Sequence, residues 1–238
     1  MSSKKVAVVL GVGPGLGSAI AHRFAKEGFT VAMMARNKES LLSIQAEIES
    51  DSGKAMPFAA DAGDPESIAT AFGQVRQQLG DPDVLVYNAG DFQRSGILDI
   101  TPEQFERSWR INCFGALLAT QQVLPRMIER KAGTILLTGA TAALRGNAQF
   151  ASFAVGKAGL RTLAQSMARE FGPQGIHVAH IIIDGQINTP KLREQSPERA
   201  DSELLDPDAI AETYWQLHQQ DATAWTLELD LRPSVESF

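Results

Sequence analysis

A chain of 238 residues with 44% hydrophobic content can bury one large α/β core, and its net charge of −6 argues against a nucleic-acid surface. The lone cysteine, Cys113, excludes an internal disulfide and fits a reducing, cytoplasmic setting. The apolar run Val6–Leu10 is too short for a signal core or a membrane span.

In chain order, Val6–Leu10 reads as a buried parallel strand, apolar without alternation. Gly11, Gly13, Gly15 and Gly17 follow at once, and then a helix over 18–27 with Ala19, Ile20, Phe24 and Ala25 on its apolar face. Strand, glycine turn and helix together aim free N–H groups and the positive end of a helix dipole at one point. A phosphate suits that point, although a tight turn with nothing bound has the same outline. A second strand over 30–35 ends at Arg36-Asn37, and the helix over 38–49 turns Leu41, Leu42, Ile44 and Ile48 inward. A third strand over 54–60 ends at Asp61, and Asp64-Pro65 caps a helix that runs to Leu79. The fourth strand, Val84–Tyr87, ends in Asn88-Ala89-Gly90. Thr101-Pro102-Glu103-Gln104 is a capping box. The helical stretch from there to Arg130 is long enough to contain a break, and Pro125 bends its last turns. A fifth strand over 134–138 is followed by a small-residue loop over 139–149 and a long helix over 150–171. The sixth strand, over 176–183, is the most apolar. Residues 184–205 lack periodicity and are rich in charge, Asp206-Pro207 caps a last helix, and 225–229 form an edge strand.

Strands alternating with helices mean a parallel sheet covered on both faces, one domain over residues 1–238. Ligands of such sheets bind beyond the carboxyl ends of the strands, where strand order reverses. The candidate residues fall at such ends. Gly11, Gly15, Leu16 and Gly17 form the phosphate turn, with the spacing Gly11-x-x-x-Gly15-x-Gly17. At the second strand end, a carboxylate would accept from a ribose 2′-OH, whereas Arg36 suits a 2′-phosphate. The reading is therefore NADP(H) over NAD(H), against a plain solvated arginine. Asp61 can accept from an adenine amino group, and Asn88, Ala89 and Gly90 are small where a backbone passes close to a cofactor.

These pieces, with Asn112, Lys157 and Gly185-x-x-x-Thr189, resemble the classical short-chain dehydrogenase/reductase family over residues 6 to 190. The resemblance implies a Rossmann-type, doubly wound sheet of seven strands, a nicotinamide cofactor, a small-molecule substrate covered by residues 184–222, and a homodimer or homotetramer. It also exposes departures. The family's Tyr-x-x-x-Lys reads Phe153-Ala154-Val155-Gly156-Lys157, so the position of the proton-donating tyrosine holds phenylalanine. The family's serine position, thirteen residues earlier, holds Ala140, flanked by Thr138 and Thr141. Lys157 is expected to bind the nicotinamide ribose, and Asn112 to break its helix and support that lysine. Thr141 is the preferred substrate-binding hydroxyl, against a plain loop role.

Tyr87 and Tyr214, the chain's two tyrosines, read as packed side chains. Asp184, where the family has proline, reads either as an acid–base group or as an exposed loop carboxylate. Cys113 reads as an inert core thiol. His177 and His180 face opposite sides of a strand and His22 and His218 stand apart, so no metal site is expected. Three functions remain open. One is an NADP(H)-dependent oxidoreductase with atypical proton handling, acting on a carbonyl or on an activated C=C, where water can protonate the second carbon. The second is a catalytically silent NADP(H)-binding sensor or assembly protein. The third is a carbonyl reductase with a rewired donor such as Thr141 or Asp184.

Overall fold

The computed structural model describes residues 5–235. Its elements alternate from the start: β1 (Val6–Leu10), α1 (Leu16–Lys26), β2 (Thr30–Ala35), α2 (Leu42–Ser50), β3 (Lys54–Ala59), α3 (Pro65–Gln78) and β4 (Val84–Tyr87). Then come α4 (Pro102–Trp109), a π-helical turn over Arg110–Phe114, α5 (Gly115–Arg130), β5 (Gly133–Thr138), α6 (Ala151–Phe171) and β6 (Ile176–Ile183). The chain closes with β7 (Gln186–Ile187), α7 (Pro190–Gln195), β8 (Leu204–Leu205), α8 (Pro207–His218) and β9 (Glu228–Leu231). Seven strands form one parallel sheet in the order β3-β2-β1-β4-β5-β6-β9. Strand order reverses between β1 and β4, which opens a crevice at their carboxyl ends. This is the doubly wound, Rossmann-type architecture.

The two-residue period of a strand divides the core between the faces. Val6, Val8 and Leu10 of β1 enter the layer under α3, α5 and α6, while Ala7 and Val9 enter the layer under α1, α2 and α8. All eight residues of β6 are buried, the imidazoles of His177 and His180 among them. The Thr101 capping box forms with both of its hydrogen bonds, and Asp64 and Asp206 cap α3 and α8.

The expected break in the long helix is the π turn. Tyr87 Oη donates to the Ile111 carbonyl within it at 2.5 Å. Directly after it, a Cβ on Gly115 would lie 2.2 Å from the Ala62 carbonyl oxygen and 2.4 Å from Tyr87 Oη, so the helix docks backbone against backbone.

Three expectations change. Leu42 is half exposed rather than inward, because the helix opens with a 3-10 turn over Glu39–Leu41 that hands the inward position to Leu41. Residues 184–205 contain ordered pieces: Thr189 caps α7, β7 pairs with β8, and Arg193 ties together Asn188, the Arg199 carbonyl and Asp201. Six helical residues are too few to show a period. The last strand begins at Glu228, since Trp225 stacks on His177 and the Thr226 carbonyl bonds the same imidazole. No helix among the described residues is long and apolar enough to cross a membrane.

Candidate functional site

The glycine loop sits in the crevice between β1 and β4. Gly11 has φ +99°, and a Cβ there would lie 2.4 Å from the Ala89 amide nitrogen. Only glycine reconciles that backbone with that approach. A Cβ on Gly17 would lie 2.6 Å from the Gly11 carbonyl oxygen. Asn88 locks the loop in place: its Nδ2 donates to the Gly11 carbonyl at 2.9 Å, and its Oδ1 accepts from Thr138 Oγ1 at 3.0 Å. Both halves of its amide are thus spent on structure. At the start of α1, Gly15 supplies no side-chain cap and the first turn holds no acidic residue. That end offers N–H donors and a positive dipole, unneutralised by any carboxylate of its own. The glycines, the bare helix start and the open crevice fit a dinucleotide diphosphate.

A cavity of about 400 Å³ runs from this loop past the ends of β2 and β3, lined by Gly11, Arg36, Asp61, Ala89 and Gly90. Arg36 is exposed there and, among the described residues, has no ion pair. Asp61 Oδ1 accepts from the Gly63 amide at 2.9 Å. The structure therefore brings Arg36 and Asp61 together in the lining of this cavity.

The other end is a cleft of about 660 Å³ beyond β5 and β6, lined in part by Leu16, Ala140, Thr141, Phe153, Lys157, Gly185 and Thr189. Lys157 is 4% exposed, and its Nζ donates to the Thr138 carbonyl at 2.8 Å. Burial draws its pKa from 10.5 down to about 8. Phe153 stands one helical turn away, with its ring centre 5.8 Å from Nζ. Asn112, fully buried in the π turn, donates through Nδ2 to the Asp91 carbonyl at 2.9 Å and to the Ser108 carbonyl at 3.0 Å. Its Oδ1 accepts from the Asp91 amide at 3.3 Å. It pins the loop after β4 at Asp91, next to Gly90.

Both tyrosines are packed and committed, Tyr87 to Ile111 and Tyr214 to Thr138 at 2.8 Å, and burial pushes both phenols up. Cys113 is partly buried and its thiol is likewise pushed up by burial. Among the described residues no His, Cys, Asp and Glu cluster is placed to hold a metal ion.

Asp184 is not the exposed loop carboxylate. Its side chain is 14% exposed, its Oδ1 accepts from Thr141 Oγ1 at 2.5 Å, and its Oδ2 lies 3.7 Å from an Arg232 nitrogen. The pairing of β5 with β6, and of β6 with β9, brings these three together from distant sequence. Phe92, Phe150 and Arg145 also line the cleft beyond β5 and β6, outside every sequence motif named above. Phe92 lies just past the Asn-Ala-Gly turn, which was the one signal available for it; Arg145 follows no motif.

Residues 5–200 match the profile of the short chain dehydrogenase family. A short-chain dehydrogenase/reductase of Armillaria gallica is 34% identical over 193 residues, 80% of this chain and 74% of that protein. The crystal structure of a short-chain dehydrogenase from Rhodopseudomonas palustris superposes with a TM-score of 0.84 at 36% identity, covering 98% of this chain and 100% of that one. A metagenomic short-chain oxidoreductase crystallised with NADP superposes with a TM-score of 0.84 at 26% identity, covering 99% and 100%. Fold, crevice and sequence agree: the chain belongs to the short-chain dehydrogenase family.

Proposed function

We propose that this protein is an NADP(H)-dependent oxidoreductase acting on a small molecule with a carbonyl or an activated C=C, and that Thr141 backed by Asp184 moves the proton. One observation carries the proton assignment. Of three threonine hydroxyls lining the cleft, Thr138 is committed to Asn88 and Tyr214 and Thr189 to capping α7, whereas Thr141 is backed by a carboxylate. The NADP bound to the metagenomic relative supports the cofactor class.

The roles follow from position. The turn Gly11–Gly17, with Leu16 and the bare start of α1, seats the diphosphate. Arg36 meets the 2′-phosphate and Asp61 the adenine amino group. Ala89 and Gly90 let the cofactor pass, Gly185 and Thr189 close its far side, and Lys157 donates to the nicotinamide ribose. Asn112 holds the loop that carries Gly90 in place. When bound, the nicotinamide would supply or accept the hydride. Thr141 Oγ1 donates to Asp184, so it turns lone pairs to the cleft. With Asp184 ionised, the pair takes a proton from an alcohol; with Asp184 protonated, it returns one. Phe153 and Ala140 stand where the family's tyrosine and serine stand. Residues 184–222 cover the substrate, and a homodimer or homotetramer in the cytoplasm completes the reading.

A catalytically silent NADP(H)-binding protein is the second reading. It is favoured by Phe153, whose ring packs edge-on against Phe92 at 5.2 Å and has no proton to give. Stereospecific deuteride transfer from labelled NADPH to an enone and ketone panel separates the two. Transfer is expected, lowered about 10²–10⁴-fold in Thr141→Val and Asp184→Asn with NADPH binding retained. No transfer from bound NADPH leaves the silent reading; no NADPH binding below millimolar overturns both. Arg36→Asp should shift preference toward NADH.

A further inference from the structure

The cleft beyond β5 and β6 carries charge opposite in sign to the chain as a whole. The sequence holds 28 acidic and 22 basic residues. The cleft lining includes two cations, Lys157 and Arg145, and no aspartate or glutamate. Lys157 is buried and tied to the Thr138 carbonyl. Arg145 stands exposed in the loop after Thr141 and, among the described residues, has neither an ion pair nor a side-chain hydrogen bond. Asp184, the carboxylate behind Thr141, is held by the Thr141 hydroxyl and lies 3.7 Å from an Arg232 nitrogen, outside the lining.

The same cleft has an aromatic wall. The Phe92 ring lies 5.5 Å from Phe150 and 5.2 Å from Phe153, at 41° and 77°. Phe92 is 67% exposed, an apolar ring left facing water where a ligand could cover it. A wall of rings recognises a planar apolar body. A guanidinium with all its donors free recognises an oxyanion, and its fork matches the two oxygens of a carboxylate. One free cation balances one negative charge, which favours a carboxylate over a phosphate dianion.

We infer that this cleft binds an aromatic or planar apolar carboxylate, its body on the Phe92–Phe150–Phe153 wall and its carboxylate on Arg145. The inference deepens the oxidoreductase reading by naming the substrate class. It rests on that reading only for what becomes of the ligand, not for its binding.

Calorimetric titration of the full chain, with and without saturating NADPH, tests it with three probes: 2-naphthoate, methyl 2-naphthoate and acetate. Naphthoate should bind about tenfold tighter than its ester, the worth of one charge-assisted pair, and far tighter than acetate, which has no ring. Arg145→Gln should erase the difference between acid and ester, and Arg145→Lys should keep part of it. Phe92→Ala should weaken acid and ester by the same factor. Thermal melts of each variant verify that it is folded. Equal binding of acid and ester, an undiminished preference in Arg145→Gln, or no binding of either ring probe overturns the inference. Naphthoate binding as described, with no deuteride transfer to any substrate, would instead sink the oxidoreductase reading and leave this one standing.

Discussion

Lys157 keeps an amine where burial opposes its charge. The folded protein holds the pKa at about 8, whereas an unfolded lysine keeps its proton to about pH 10.4. Between those values the unfolded chain binds the extra proton, so stability rises with pH across that window and the burial penalty is fully present below about pH 8. Urea unfolding at pH 7.5 and pH 10 should therefore show the wild type gaining about 1–3 kcal/mol relative to Lys157→Met. A difference that stays flat would mean the amine is not held in a low-dielectric site. Lys157 was legible in the sequence because a cation inside an apolar helix needs a reason, and Gly11 because only glycine tolerates its backbone. Asp184 was visible as a residue but not as a partner. Thr141 lies 43 positions before it, and only the pairing of β5 with β6 makes them neighbours.

At the scale of elements, β9 is held to the sheet by a clamp on its first residue. Glu228 accepts two hydrogen bonds from Arg161 of α6, each 2.7 Å, and meets His180 Nδ1 of β6 at 3.2 Å. The Arg161 guanidinium holds the Glu228 carboxyl below its usual range. Glu228→Gln should cost about 1–3 kcal/mol, the loss of a partly buried charge-assisted pair. In hydrogen exchange, the amides of β9 should lose protection while those of β1 and β4 keep theirs. Retained protection in β9 would show that the backbone ladder alone holds the edge. The existence of a last strand was legible in its apolar residues, but its start was not. Trp225 and Thr226 look like strand residues, and they are instead consumed by His177, which is far off in sequence. In the same way, Asn112 marked a break in the long helix without saying that the break would be a π turn.

For the whole molecule, buried imidazoles set the acid limit. Burial draws the pKa of His180 and of His218 down to about 4, and that of His177 down as well. The unfolded chain takes up these protons near pH 6.5, so stability falls as pH drops from there toward 4. The urea midpoint should be lower at pH 5 than at pH 7, corresponding to about 1–3 kcal/mol after allowing for solvent near His218. An unchanged midpoint would place these rings in water. The alternation of strands and helices made the doubly wound sheet legible from the outset. The cleft's charge was not legible, since it depends on which loops meet over β5 and β6 rather than on any run of residues. The π turn has a consequence of another kind. Each residue of a helix is about 100° of rotation, so the five residues Arg110–Phe114 act as a phase shifter between α4 and α5. With Tyr87 gripping Ile111 and Asn112 gripping Asp91, that phase is clamped from two neighbouring positions inside the turn. A substitution in this stretch alters one contact, whereas losing or gaining one residue would rotate Phe105 and Trp109 of α4 about the axis of α5, making this a stretch whose length carries the information.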